Sequence, residues 1–225
     1  MGCRHTGGRP LGRRRFIPAA PFFGVDSHEV RREWAQRDGE YSPAYYAYKG
    51  PDERSESVRE LLDRYVGPDA SVLELGCSAG RHLAHLADHG YDDLAGIEVN
   101  PDAFDVMADH YPALKESGTF YCDAIEDVIE DIPDDRFDVV FSVETLQHVH
   151  PDADWVFAEI ARCAGDLLVT VENEGDGGGS VSQVNDEFPL YHRDWCAVFE
   201  GVGLEAVAEQ AGSRDTARAF RSPSV

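Results

Sequence analysis

From residue 71 onward the chain alternates short apolar runs with stretches of helical period, and this alternation limits the fold more than any other feature. SVLELG (71–76), DLAGIEVN (93–100), TFYCDA (119–124), FDVVFSVE (137–144) and DLLVTVEN (166–173) read as strands. RHLAHLADHG (81–90), PDAFDVMADHY (101–111) and DADWVFAEIARC (152–163) read as helices, with Asp152 and Asp154 placed to cap the last. Strands joined through helices run parallel, because the helix carries the chain back to the same end of the sheet. EGDGGGS reads as a flexible loop, RDWCAVFEGVG (193–203) as a closing helix, and LEAVAEQ (204–210) and TARAFR (216–221) as two final strands. The fold class that follows is α/β: a doubly wound, Rossmann-like sheet with helices on both faces.

Three segments precede or make up this pattern. Residues 1–24 hold five arginines and no acid, with no helical or strand period, and read as a basic disordered tail. A nucleic-acid-touching arm, or a native start downstream near Val25, are the alternatives. Residues 25–54 form a helical and aromatic cap segment. There Ser27 is placed to cap a helix carrying Val30 and Trp34, and a tyrosine-rich run is broken by Pro43, Gly50 and Pro51. Residues 55–225 form the main domain, opening on the amphipathic SESVRELLDRYV with Ser55 or Ser57 as its cap.

Composition narrows the setting. Of 225 residues, 43 are Asp or Glu and 20 Lys or Arg, a net charge of -23, yet 42% are hydrophobic, so the chain can build a core. Lys49 and Lys115 are the only lysines. A dispersed acidic surface with arginine as the main cation looks like the proteins of salt-accumulating, halophilic archaea, where salt screens self-repulsion. The same charge disfavours nucleic acid as a partner. No apolar run suffices for a membrane span, and scattered cysteines without a secretory signal point to free thiols in a reducing cytoplasm. Neither the cysteines nor His82, His85 and His89, which share a helical face, have partners spaced for a metal, so no metal is expected.

The chemistry concentrates at strand ends. VLELGCSAGRHL (72–83) runs a strand through Glu74 into Gly76, Cys77, Ser78, Ala79 and Gly80, and then straight into a helix. Small residues let backbone approach a ligand, and the helix start offers free N–H groups. A dinucleotide site would want G-x-G-x-x-G, whereas this loop is G-x-x-x-G after an acid, which suits a cationic or amino-bearing ligand better than a pyrophosphate. Glu98 closes the second strand, followed by Val99 and Asn100, and can accept both hydroxyls of a ribose. Asp123 closes the third and can accept from an adenine amino group, with Ala124 and Ile125 covering the ring.

With these motifs the sequence resembles the class I S-adenosylmethionine-dependent methyltransferases over about residues 55–221. VLELGCSAG matches the glycine-rich motif, GIEVN the ribose acid, YCDAIED the adenine acid and FDVVFSVETLQHVHP the fourth-strand motif. Ser78 departs from the commonest pattern, which has glycine there. The resemblance implies seven strands, the last antiparallel, and S-adenosyl-L-methionine as cofactor, with Glu74 and Gly76 near its amino-acid end and Glu98 on its ribose. It also makes Ser142, Val143 and Glu144 cofactor contacts. His148 is a candidate general base, because histidine titrates near working pH, or else a packing residue; His150 is a weaker candidate. Tyr45 and Tyr46, together with Tyr191 on the far side, are candidates for the acceptor pocket, with plain packing an equal reading. The implied reaction moves a methyl group to an O, N or S nucleophile. The acceptor is expected to be a small molecule, since VETL stands where N-P-P-Y or D-P-P-Y would. The rivals are a non-catalytic cofactor-binding sensor or partner subunit and a nucleotide-dependent oxidoreductase.

Overall fold

A computed structural model describes residues 26–175, 179–184 and 188–223. The basic tail and the proposed downstream start lie outside the described residues, as does the centre of the glycine-rich loop. Three helices come first: α1 (Ser27–Ala35), α2 (Pro43–Lys49) and α3 (Glu53–Tyr65). The alternating core follows as β1 (Val72–Leu75), α4 (Arg81–Ala87), β2 (Leu94–Glu98), α5 (Asp102–His110), α6 (Pro112–Ser117), β3 (Thr119–Cys122), α7 (Ile125–Val128), β4 (Phe137–Val143), α8 (Val156–Cys163) and β5 (Ala164–Glu172). The chain closes with β6 (Val181–Val184), β7 (Phe188–Tyr191), α9 (Trp195–Gly201), β8 (Glu205–Ala211) and β9 (Thr216–Arg221).

The seven-stranded sheet has the order β3-β2-β1-β4-β5-β9-β8. All strands run parallel except β9, which is antiparallel to both of its neighbours, β5 and β8. Side chains alternate between two faces, so each face builds its own core. Leu73, Leu75, Val140 and Leu168 meet α8 and α9 through Phe157, Ile160, Trp195 and Phe199. Val72, Phe141, Val169 and Ala219 meet α3 and α4 through Val58, Leu61, Leu62 and Leu83. No described helix is long and apolar enough to cross a membrane.

Several local expectations are corrected. Asp26, not Ser27, caps α1 by accepting from Glu29 N at 2.8 Å. Asp52 caps α3, and Ser55 closes the reciprocal bond by accepting from Asp52 N at 3.1 Å. Pro43 opens a helix instead of breaking one, since a first-turn position needs no N–H. Neither Asp152 nor Asp154 caps α8: a 3-10 turn at Pro151–Ala153 intervenes, and Asp154 is held by Arg193 at 2.8 Å. The hairpin of β6 and β7 lies outside the main sheet and was not anticipated.

Candidate functional site

A cleft of about 1060 Å³, counting its open mouth, lies beyond the C-terminal ends of β2, β3, β1 and β4, roofed by α1 and α2. This is where open parallel sheets bind ligands. Its floor brings together Gly76, Cys77, Ser78, Glu98, Val99, Asn100, Asp123, Ala124, Ile125, Val143 and Glu144, all expected there, with His148 at one side.

Glu98 is half-buried and bound by backbone N–H groups of two strand-end loops. Its Oε2 accepts from Ser78 N at 2.8 Å and its Oε1 from Asn100 N at 2.7 Å. Burial raises its pKa, opposed by those same N–H groups. Asp123 is exposed and accepts from Ala124 N at 2.9 Å. Two residues of the floor are bent into left-handed backbone, Ser78 (φ 49°) and Glu144 (φ 50°). Ser78 explains why glycine is the usual choice at this place: a Cβ there costs ~1–2 kcal/mol. Gly76 (φ 68°) is held tighter still, because a Cβ would stand 2.4 Å from Thr145 Oγ1.

Other expected residues are not on the walls of the cleft. Glu74 is wholly buried beneath the loop, and its Oε2 has no partner among the described residues. Burial raises its pKa well above the ordinary carboxyl value, with Arg81 opposing and Glu98 adding to the rise. Ala79 is buried, and Gly80 packs where a Cβ would meet Leu114 at 2.8 Å. Ser142 points its hydroxyl at Glu172 Oε1, 2.8 Å away. Tyr45 turns aside under Lys49, whose Nζ is 4.3 Å from the ring centre. His150 and Tyr191 pack edge to face at 5.4 Å, away from the cleft. His82, by contrast, does line the cleft, buried with its Nδ1 2.7 Å from Ser55 Oγ, whereas His85 lies off it and bonds Glu56 at 3.0 Å.

Over β1 and β4 the cleft is closed by side chains from far upstream. Trp34 lies against His148 with ring centres 4.4 Å apart, and Tyr46 sits under the Arg81 guanidinium at 5.0 Å. Asn100 Nδ2 donates to Arg37 O at 3.1 Å, tying the end of α1 to the strand-end loop. Burial lowers the His148 pKa to about 4, against the carbonyls of Pro189 and Glu144, so the ring is neutral. Its Nδ1 has no partner among the described residues. Burial raises the Glu144 pKa, as does Asp215, while Arg54 Nε at 3.5 Å opposes them.

The sequence missed Glu172, which ends β5. It is fully buried, and burial lifts its pKa to about 7 against hydrogen bonds from Leu146 N, Ser142 Oγ and Thr145 N. In VTVEN it reads as one more strand-end acid. Its sole sequence signal is its place at the end of a strand neighbouring the cleft.

Comparisons with known proteins bear on the fold that carries this cleft. Residues 72–165 match the family model described as a methyltransferase domain. The fold is that of the class I methyltransferases. The 1,6-didemethyltoxoflavin-N1-methyltransferase of Burkholderia thailandensis, solved with 1,6-didemethyltoxoflavin and S-adenosylhomocysteine, superposes with a TM-score of 0.71. It is 19% identical, and the match covers 92% of this chain and 93% of that one. The glycopeptide N-methyltransferase MtfA with S-adenosylhomocysteine gives a TM-score of 0.61 at 14% identity, over 77% and 91% of the two chains. In sequence, phosphoethanolamine N-methyltransferase 3 of Arabidopsis thaliana is 27% identical over 51% of this chain and 24% of that protein. Human EEF1A lysine methyltransferase 2 is 29% identical over 46% of this chain and 43% of that protein. The chain thus spans less than half the length of the curated relatives it matches.

S-adenosylmethionine is the cofactor such a domain implies, and the residues present fit it. Glu74 keeps an unpaired buried oxygen beneath the loop, of the kind an amino group would satisfy. Gly76 leaves a backbone approach with no Cβ, and Glu98 has lone pairs left for hydroxyls.

Proposed function

We propose that this chain is an S-adenosylmethionine-dependent methyltransferase acting on a nitrogen of a small acceptor bearing an amine or a ring N–H. The observation that carries this reading is the division of acids along the cleft. Glu98 and Asp123 stand at the ends of β2 and β3, whereas Glu144 stands at the end of β4, beside His148 and the aromatic roof. The first pair suits a ribose and an adenine; Glu144 is left to face the acceptor.

When bound, the cofactor supplies a methyl group on a sulfonium. Glu74, from beneath the loop, and the 76–78 loop would hold its amino-acid end, Glu98 its ribose and Asp123 its base. Trp34 and Tyr46 exclude water and flatten the acceptor's side of the cleft. The acceptor's N–H donates to the Glu144 carboxylate, with the His148 ring beside it. A ring with a pKa of about 4 is a weak store for a proton, so His148 orients the acceptor and Glu144, whose pKa is raised, takes the proton. The nitrogen acceptors in the names of the four relatives support this choice over oxygen or sulfur.

We further place the protein in a salty, reducing cell interior: acids outnumber lysines 43 to two, and Cys77, Cys122, Cys163 and Cys196 are free thiols. Thermal melts in rising KCl should move upward, and indifference to molar salt would refute the salt reading. Transfer of labelled methyl from S-adenosylmethionine to panels of amines, ring N–H compounds, phenols and thiols tests the reaction. Label on nitrogen compounds supports the reading; cofactor binding with no transfer to any panel would indicate a sensor.

A further inference from the structure

The segment after β4, residues 144–149, puts Glu144, Thr145, His148 and Val149 on the cleft, yet its only regular structure is a 3-10 turn at Leu146–His148. Its backbone groups therefore need partners from elsewhere. Two buried side chains supply them from opposite sides. Glu172 Oε1 accepts from Thr145 N and Leu146 N, both at 3.0 Å, and from Ser142 Oγ at 2.8 Å. Glu172 Oε2 takes Gln147 N at 3.4 Å. Arg193 does the converse: its Nη2 donates to Val149 O at 2.8 Å and its Nη1 to Leu146 O at 3.5 Å. A further bond to Asp154 at 2.8 Å and stacking on Phe157 at 5.1 Å fix the guanidinium.

Neither side chain lines the cleft, and both are buried. A buried charge adds little to stability over a well-packed apolar side chain, but it allows few arrangements of the groups around it. Here those groups are the N–H and C=O of the segment that carries Glu144 and His148.

We propose that Glu172 and Arg193 are positioning residues for methyl transfer, which fix the backbone of residues 144–149 from its donor and acceptor sides and so set where Glu144 and His148 meet the acceptor. This rests on the reading of the cleft as a methyl-transfer site.

The test compares Glu172→Ala, Glu172→Gln and Arg193→Met with the wild type in hydrogen exchange, S-adenosylhomocysteine binding and steady-state turnover. In Glu172→Ala and Arg193→Met, amides of 144–149 should exchange about tenfold faster or more, while the 74–80 segment stays unchanged. Turnover should fall by about tenfold or more with S-adenosylhomocysteine affinity within about threefold of wild type. Glu172→Gln keeps one oxygen for Ser142, Thr145 and Leu146, so it should rescue most of the turnover and guards against an alanine variant that does not fold. Unchanged exchange at 144–149 in Arg193→Met and Glu172→Ala, or turnover and cofactor affinity falling together, would overturn the proposal. Exchange needs no acceptor, so a wild type that binds cofactor but transfers nothing defeats the functional reading while the fixing of the segment is still tested.

Discussion

The two halves of the cleft are built differently. In the half over β2 and β3, the acids are held by backbone amides of the strand-end loops: Glu98 by Asn100 N two residues on and by Ser78 N in the loop after β1, Asp123 by the next amide along. In the half over β4, the wall is assembled from α1, α2 and the post-β4 segment, and is supported by Glu172 and Arg193 from much later in the chain. On the proposed function the first is the nucleoside half, held by amides of the strand-end loops, and the second is the transfer half, braced by side chains from much later in the chain.

The largest effect should come where the halves touch. Gly76→Val drives side-chain atoms into Thr145 at a left-handed position, and S-adenosylhomocysteine affinity should fall about a hundredfold or more in calorimetry. Glu98→Ala breaks the nucleoside half alone. Affinity should drop about tenfold or more, as expected for lost charge-assisted bonds, with exchange at 144–149 unaltered. If that segment also loosened, the division would fail.

His148→Asn sharpens the comparison through pH. The folded ring has a pKa of about 4 against an ordinary 6.5, so its contribution to stability is complete above 6.5 and is lost as pH falls toward 4. The unfolded state takes up the proton first. Melting temperatures of wild type and variant should therefore converge, or cross, as pH drops through that window; a constant difference would contradict burial of the neutral ring. The smallest effect belongs to Ser78→Gly, which relieves left-handed strain and should stabilise by up to ~1 kcal/mol in denaturant melts while leaving cofactor affinity intact.

How much was legible in the sequence follows the same division. The five parallel strands β1 to β5 could be read because each is a short apolar run bounded by turns, whereas β8 and β9, in LEAVAEQ and TARAFR, are more polar and match the closing pair of the family pattern. Glu98 and Asp123 could be read because each ends such an apolar run. Glu172 ends one too, but its partners are amides 25 to 27 residues back in the chain, a relation no local pattern carries. Arg193 reads as the start of a helix, and only folding reveals that it reaches Val149 and Asp154. The caps of α1 and α3 slipped because Asp26 and Asp52 precede serines equally able to serve. The hairpin of β6 and β7 carries little apolar alternation in SVSQV, so no local pattern marks it.

The most direct test of the central claim is calorimetric titration of the full chain with S-adenosylhomocysteine and, separately, with NADH. The account predicts saturable micromolar binding of the first and none of the second. Absence of S-adenosylhomocysteine binding, or equal binding of NADH, would contradict it.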